Sequence, residues 1–331
     1  MRARPIRETT RPGEALGQHA AARSSCGPQA ALCALSIALA LGTSRLTLVL
    51  HEFIGHGGVA TLAGGRVTQW HLFLFAGGRI EFDLPDALSW WWELAIQLGG
   101  CALESVVAPI AFLLARRCRG APAMGLCALG AIDAVHALVY VGRGTHYGYG
   151  DGILLHEALG PMGRGALVSL ATGAAIAISS LGARAFSRHA AECIPGASGG
   201  VRLGALVVAV VVASGVHAAL AFGELALVPD PAYARLMEDR ALAEARRTIE
   251  RERRAAPLSP EELERLARAR AATKAPLPLD PLLFGGIGLG LVAGARSGVR
   301  RAREGMALSW RTVGLAFALL GALLALVAWI G

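Results

Sequence analysis

Apolar residues in this chain cluster in long runs separated by short polar stretches. The runs cover about 30–63, 88–115, 122–142, 163–183, 201–226 and 308–330, and each reaches the ~20 residues that a spanning helix needs. A seventh run, 282–295, is short and rich in glycine, and reads as a marginal span or a re-entrant segment. Ala30 to Gly42 has the length of a signal-peptide core, but a second apolar stretch follows at once, so one long helix over 30–63 is expected. Trp90, Trp91 and Trp92 open the second run, as an interfacial aromatic belt would. The pattern predicts an all-α polytopic membrane protein with six to seven transmembrane helices, embedded in the lipid bilayer of a bacterial inner membrane.

Two segments break the pattern. Residues 66–83 hold two β-rich runs around Ala76-Gly77-Gly78 and predict a small β-hairpin after the first span. Residues 232–272 are rich in Ala, Arg and Glu and predict a pair of helices outside the bilayer. Within them Ser259-Pro260-Glu261-Glu262 has the form of a helix start: a Ser cap, Pro in the first turn, and a Glu placed to return a bond to the cap. The chain thus divides into a disordered tail (1–28), a membrane core with the hairpin (29–160), two further spans (161–226), a charged helical extramembrane segment (227–280) and a C-terminal membrane segment (281–331).

Composition agrees and excludes other classes. Hydrophobic residues make up 54%, charged residues 17%, and the mean hydropathy is +0.50, against about 25% charged residues in a soluble chain. A soluble Rossmann-type enzyme, a disulfide scaffold and a disordered regulator are excluded. The net charge of +8 comes almost wholly from arginine, Lys274 being the one lysine. These arginines lie scattered in loops and one mixed-charge stretch, so no nucleic-acid partner is expected. The short loops on the hairpin side carry Arg66, Arg79, Arg143 and Arg164. The opposite side carries more, so charge alone leaves the orientation open. None of the six cysteines forms a C-x-x-C pair, and those inside apolar runs read as small hydrophobes.

The first run contains Leu50-His51-Glu52-Phe53-Ile54-Gly55-His56. Two His and a Glu in an apolar helix are costly by some kcal/mol per charged group, so they need a reason to be there, a functional site or polar packing between helices. Zinc peptidases use H-E-x-x-H, whose two His share a helix face while the Glu serves the attacking water. Here the spacing is H-E-x-x-x-H, which puts His51 and His56 about 140° apart on a regular helix. A π-bulge, with Gly55 tolerating the distortion, would return them to one face. Alternatively Glu52 and His56, four apart, bind the metal together. About 100 residues later an apolar helix ends in a Gly-rich stretch containing Asp151-Gly152, and Asp151 is a candidate third, oxygen ligand.

In order, these features resemble the site-2 proteases, a family of intramembrane zinc metalloproteases. The matching parts are H-E with a nearby Gly-His in a membrane helix, a short connection and hairpin from Arg66 to Asp83, a small-residue break at Gly99-Gly100 in the next span, and Asp151-Gly152 closing a helix. The resemblance covers about residues 30–160. It implies zinc held by His51, His56 and Asp151, with Glu52 as general base, acting on membrane-protein substrates that pair with the hairpin. The sequence departs from the family in three places. The His spacing is longer by one, the prolines before Asp-Gly are missing, and Glu104 lies near where the family has Asn. Further candidates for supporting or substrate-contacting roles are His146, Glu104, and Asp133 with His136, which are three apart and could pair with each other. His156, and His217 with Glu224, are other polar residues of the apolar segments. Two rival readings remain: a catalytically inactive relative that binds membrane proteins or serves as a scaffold, and a metal or proton transporter.

Overall fold

A computed structural model describes residues 26–228, 242, 246, 249, 259–273, 279–302, 305 and 307–330. The expected tail lies outside these residues except for its last three positions, which already belong to the first helix. The first of the two expected extramembrane helices also lies outside them, apart from the helical positions 242, 246 and 249.

The first helix, α1 (Cys26–Val49), continues without a break into a π-helical segment (Leu50–Gly57) and a last α-turn, α2 (Gly58–Leu62). The hairpin follows: β1 (Arg66–Leu72) pairs antiparallel with β2 (Gly78–Asp83), from Arg66 opposite Asp83 to Leu72 opposite Gly78. Then come α3 (Trp90–Ala115), α4 (Gly120–Tyr147), a 3-10 turn (Gly150–Gly152), the short α5 (Ile153–Ala158), α6 (Pro161–Glu192) and α7 (Gly199–Leu227). A further helix, α8 (Pro260–Thr273), precedes α9 (Leu279–Arg301) and α10 (Trp310–Ile330). Among the described residues, seven helices are long and apolar enough to cross a membrane, and they suggest an integral multi-pass membrane protein.

Burial follows the same logic. In α7 only 17% of the most apolar window is buried within the protein, and side chains such as Val207, Val211 and Phe222 face outward. Apolar surface of that extent is costly to leave against water and suits hydrocarbon. Trp90, Trp91 and Trp92 stand exposed at the start of α3. Inside, α3, α4, α6 and α9 pack in sequence, each on the next, while α1 packs against α7 and α10.

The seventh run, short in the sequence pattern, is part of a continuous helix of 23 residues, long and apolar enough to cross a membrane. Its glycines lower hydropathy but serve packing. Gly286, Gly290, Gly294 and Gly298 recur every fourth residue and rest against Ile176, Ser180, Arg184 and Ser187 of α6. A Cβ at Gly290 would lie 2.8 Å from the Ile176 carbonyl oxygen. Close backbone approach of this kind is how membrane helices associate where no hydrophobic force separates helix from lipid. The helix start is tied by a two-pronged ion pair, Arg143 to Asp280 at 2.9 and 3.0 Å.

The cap of α8 forms as its sequence implies. The Glu262 amide donates to Ser259 Oγ at 3.3 Å, and Glu262 Oε2 accepts from the Ser259 amide at 3.2 Å.

The hairpin is anchored at its tip. Glu224 of α7 accepts the amides of Leu74 and Phe75, both at 2.6 Å, and of Ala76 at 2.9 Å. The Arg45 guanidinium donates to the carbonyls of Phe73 at 2.9 Å and Ala76 at 2.5 Å. His217 lies 3.3 Å from the Phe75 carbonyl oxygen and 3.4 Å from Ser44 Oγ. So His217 and Glu224 bind the hairpin turn, whose backbone groups would otherwise lack partners.

Candidate metal centre

The π-helical segment resolves the conflict in the His spacing. Hydrogen bonding from residue i to i+5 widens the turn by one residue, so side chains five apart come to one face. The imidazoles of His51 and His56 stand edge to face, with ring centroids 4.7 Å apart and Nε2 atoms 3.1 Å apart. The wide turn fits because the neighbouring helix has no side chains there. A Cβ on Gly55 would sit 2.5 Å from the Gly100 Cα, and one on Gly99 would sit 2.6 Å from the Gly55 carbonyl oxygen.

Asp151 reaches the same point from the other side. Helix α4 ends at Gly148, whose φ of +74° lets the chain reverse and its amide bond back to the Gly144 carbonyl at 2.8 Å. The returning 3-10 turn lies directly on the helix end, where a Cβ at Gly144 would meet the Gly152 nitrogen at 2.6 Å. Gln97 of α3 donates to the Gly150 carbonyl at 2.9 Å and fixes the turn. The Asp151 carboxylate then lies 3.1 Å from His51 Nε2 and 3.5 Å from His56 Nε2.

All three side chains are buried. They form a group able to hold a metal ion. Bonds of ~2.0–2.1 Å at a tetrahedral ion place ligand atoms roughly 3.3 Å apart, close to the separations seen. The hydrogen bonds supply a second argument. His51 Nδ1 donates to Glu104 Oε1 at 2.9 Å, and His56 Nδ1 donates to the Ile96 carbonyl at 2.7 Å. With each Nδ1 carrying the proton of a neutral ring, both Nε2 atoms present lone pairs toward each other and toward a carboxylate. Such a set repels itself unless a proton or a metal ion lies between. A second group, His51 with Cys101 and Glu104, also clusters. It would need the His51 Nδ1 that donates to Glu104 Oε1 to give up its proton, whereas the first group uses Nε2 atoms and leaves both Nδ1 hydrogen bonds in place.

The other candidates fall into place around this centre. Glu52 is buried beside His51, within electrostatic reach of His56, His51 and Asp151, and belongs to neither metal-capable group. Glu104 is fully buried and also accepts from His136 Nδ1 at 2.8 Å, so one carboxylate holds two imidazoles. The expected pairing of Asp133 with His136 does not form. Asp133 accepts instead from Thr47 Oγ1 of α1, because partners on neighbouring helices lie nearer than a residue one turn along. His146 belongs to neither metal-capable group. Its ring meets that of Tyr147 edge-on, with centroids 4.6 Å apart. His156 Nδ1 donates to the Thr145 carbonyl at 2.8 Å and braces the returning turn.

Sequence reasoning missed two residues. Cys101 donates from Sγ to Asp151 Oδ2 at 3.2 Å, and Gln97 holds the turn as described. The signal was present. Gln97, Cys101 and Glu104 follow at i, i+4 and i+7, a polar stripe down one face of an apolar helix.

The hairpin lies against the same segment. Trp70 stacks on Phe53 with centroids 4.3 Å apart and planes at 20°. A Cβ at Gly57 would meet Trp70 at 2.9 Å and Ile80 at 3.0 Å. The strands therefore lie beside the turn that carries both histidines. Compared with family models, curated proteins and solved structures, the chain matches none.

Proposed function

We propose that the chain is a zinc-dependent endopeptidase resembling the site-2 proteases, which hydrolyses peptide bonds of membrane-protein substrates within a bacterial inner membrane. The observation that carries this reading is the convergence of His51 Nε2, His56 Nε2 and the Asp151 carboxylate, with both Nδ1 protons already engaged. Two imidazoles and a carboxylate are the ligand set of a catalytic zinc with one position left open. A zinc ion bound there supplies Lewis acidity and an acidified water.

The protein's own groups do the rest. Glu52, next to His51 and outside the ligand set, takes the proton from the attacking water at its carboxylate and returns it to the leaving amine. Glu104 and the Ile96 carbonyl hold the two rings in the tautomer that directs Nε2 inward. Cys101 holds Asp151 by one oxygen. The surrounding burial keeps bulk water from the peptide bond. A substrate helix has its backbone bonds satisfied and must unwind before cleavage. The hairpin beside the π-helical segment offers an edge on which the unwound strand can pair.

The test uses purified protein reconstituted into vesicles with native membrane proteins of a bacterial host. New N-termini are mapped by mass spectrometry for wild type and Glu52→Gln. Termini that appear with wild type and vanish with the variant support the reading. Identical termini in both, with zinc bound, would point to an inactive binding protein. Zinc entering the vesicles instead would point to a transporter.

A further inference from the structure

At the end of the molecule away from the hairpin, helices α3, α4, α6 and α9 line an open cleft of about 800 Å³. It is of the size that binds small molecules. Its long wall is apolar, formed by Phe112, Leu113, Leu138 and Leu181. Arg116, Arg184, Arg188 and Arg301, from three different helices, also line it. Among the described residues no Asp or Glu lines it and none of the four arginines has a carboxylate partner, though Arg188 Nη2 lies 3.3 Å from His189 Nε2. His189 is turned toward Glu192, 3.4 Å away.

Arginines at helix C-termini are expected from the helix dipole, which accounts for Arg116 and Arg301. It does not account for Arg184. That residue lies eight positions before the end of α6 at Glu192, about 12 Å along the helix, where the dipole no longer acts. A guanidinium at that depth, beside an apolar slot and without an acidic partner, calls for an anion that arrives with its own hydrocarbon.

We infer that this cleft binds an anionic phospholipid, its phosphate on Arg184 and Arg188 and an acyl chain along Phe112, Leu138 and Leu181. Guanidinium groups match phosphate oxygens in pairs, and basic pockets between membrane helices are where anionic headgroups settle. The lipid's tail fills the slot and its charge replaces the missing carboxylates. None of the lining residues is a ligand atom of the metal centre, so the inference does not rest on the peptidase reading.

The experiment is native mass spectrometry of the full-length protein in neutral detergent. Dioleoylphosphatidylglycerol or dioleoylphosphatidylcholine is added at equal concentration, with thermal unfolding as the check on folding. One phosphatidylglycerol per chain should be retained at least about tenfold more tightly than phosphatidylcholine. Arg184→Gln combined with Arg188→Gln should abolish the preference. Leu138→Trp, which fills the slot and leaves every arginine in place, should also lose the bound lipid. Equal retention of both lipids, binding unaffected by Leu138→Trp in a folded variant, or displacement by millimolar inorganic phosphate would overturn the inference.

Discussion

Gly55 and Gly100 sit back to back, so close that a Cβ on the first would come within 2.5 Å of the Cα of the second. This contact lets the π-helical segment lie flush on α3, where Ile96 and Glu104 reach both histidines. Gly55→Ala should therefore separate the two helices. The expected cost is about 1–3 kcal/mol, with loss of bound metal. Gly42→Ala is the control, since nothing lies within 4 Å of its Cβ and the change favours helix. Thermal unfolding and metal content of the two variants check this. Equal behaviour of both would contradict it.

Glu104 holds His51 and His136 through one oxygen. Partners of this kind contribute about 10–100-fold to metal affinity. Glu104→Leu should weaken zinc binding by that order, measured by competition with a chelator. Glu104→Gln keeps a carbonyl oxygen that can still accept from His51, and should lose less.

Cys101 separates the two possible ligand groups. If His51, His56 and Asp151 hold the ion, Cys101→Ser keeps a donor to Asp151 and leaves zinc affinity nearly unchanged. If His51, Cys101 and Glu104 hold it, the same substitution removes a thiolate ligand and most of the metal. Titration of the purified variant distinguishes the two.

Glu224 accepts three consecutive amides of the hairpin turn. Hydrogen bonds to a charged group are worth about 1.5–3 kcal/mol each. Glu224→Ala should loosen the turn 73–77, seen as faster amide exchange there, and lower peptide cleavage while zinc content stays. Unchanged exchange would show that the anchor is redundant.

The helical framework was legible because long apolar runs have few alternatives in a chain so poor in charge. The π-helical segment was legible too. The motif His51 to His56 is incompatible with a regular helix if both rings serve one ion, and Gly55 marked where the turn could widen. Glycine misled at 282–295, where it lowers hydropathy while providing the contact with α6. The i, i+3 spacing of Asp133 and His136 misled as well, because Thr47 and Glu104 on other helices take both groups. The partners of Glu224 lie about 150 positions away in the chain, so no local pattern could name them. Cys101 was hidden by its chemistry, since a cysteine in an apolar run reads as packing until a carboxylate is found beside it.

The central claim is a metal ion at His51, His56 and Asp151. The most direct measurement is zinc K-edge absorption, with metal quantification, on purified wild-type protein. One zinc per chain, with nitrogen and oxygen neighbours at ~2.0–2.2 Å, two imidazoles in the scattering pattern and no sulfur at ~2.3 Å, is the predicted result. A protein that retains no stoichiometric zinc when purified with zinc present, or a zinc ion bound through sulfur, would contradict it.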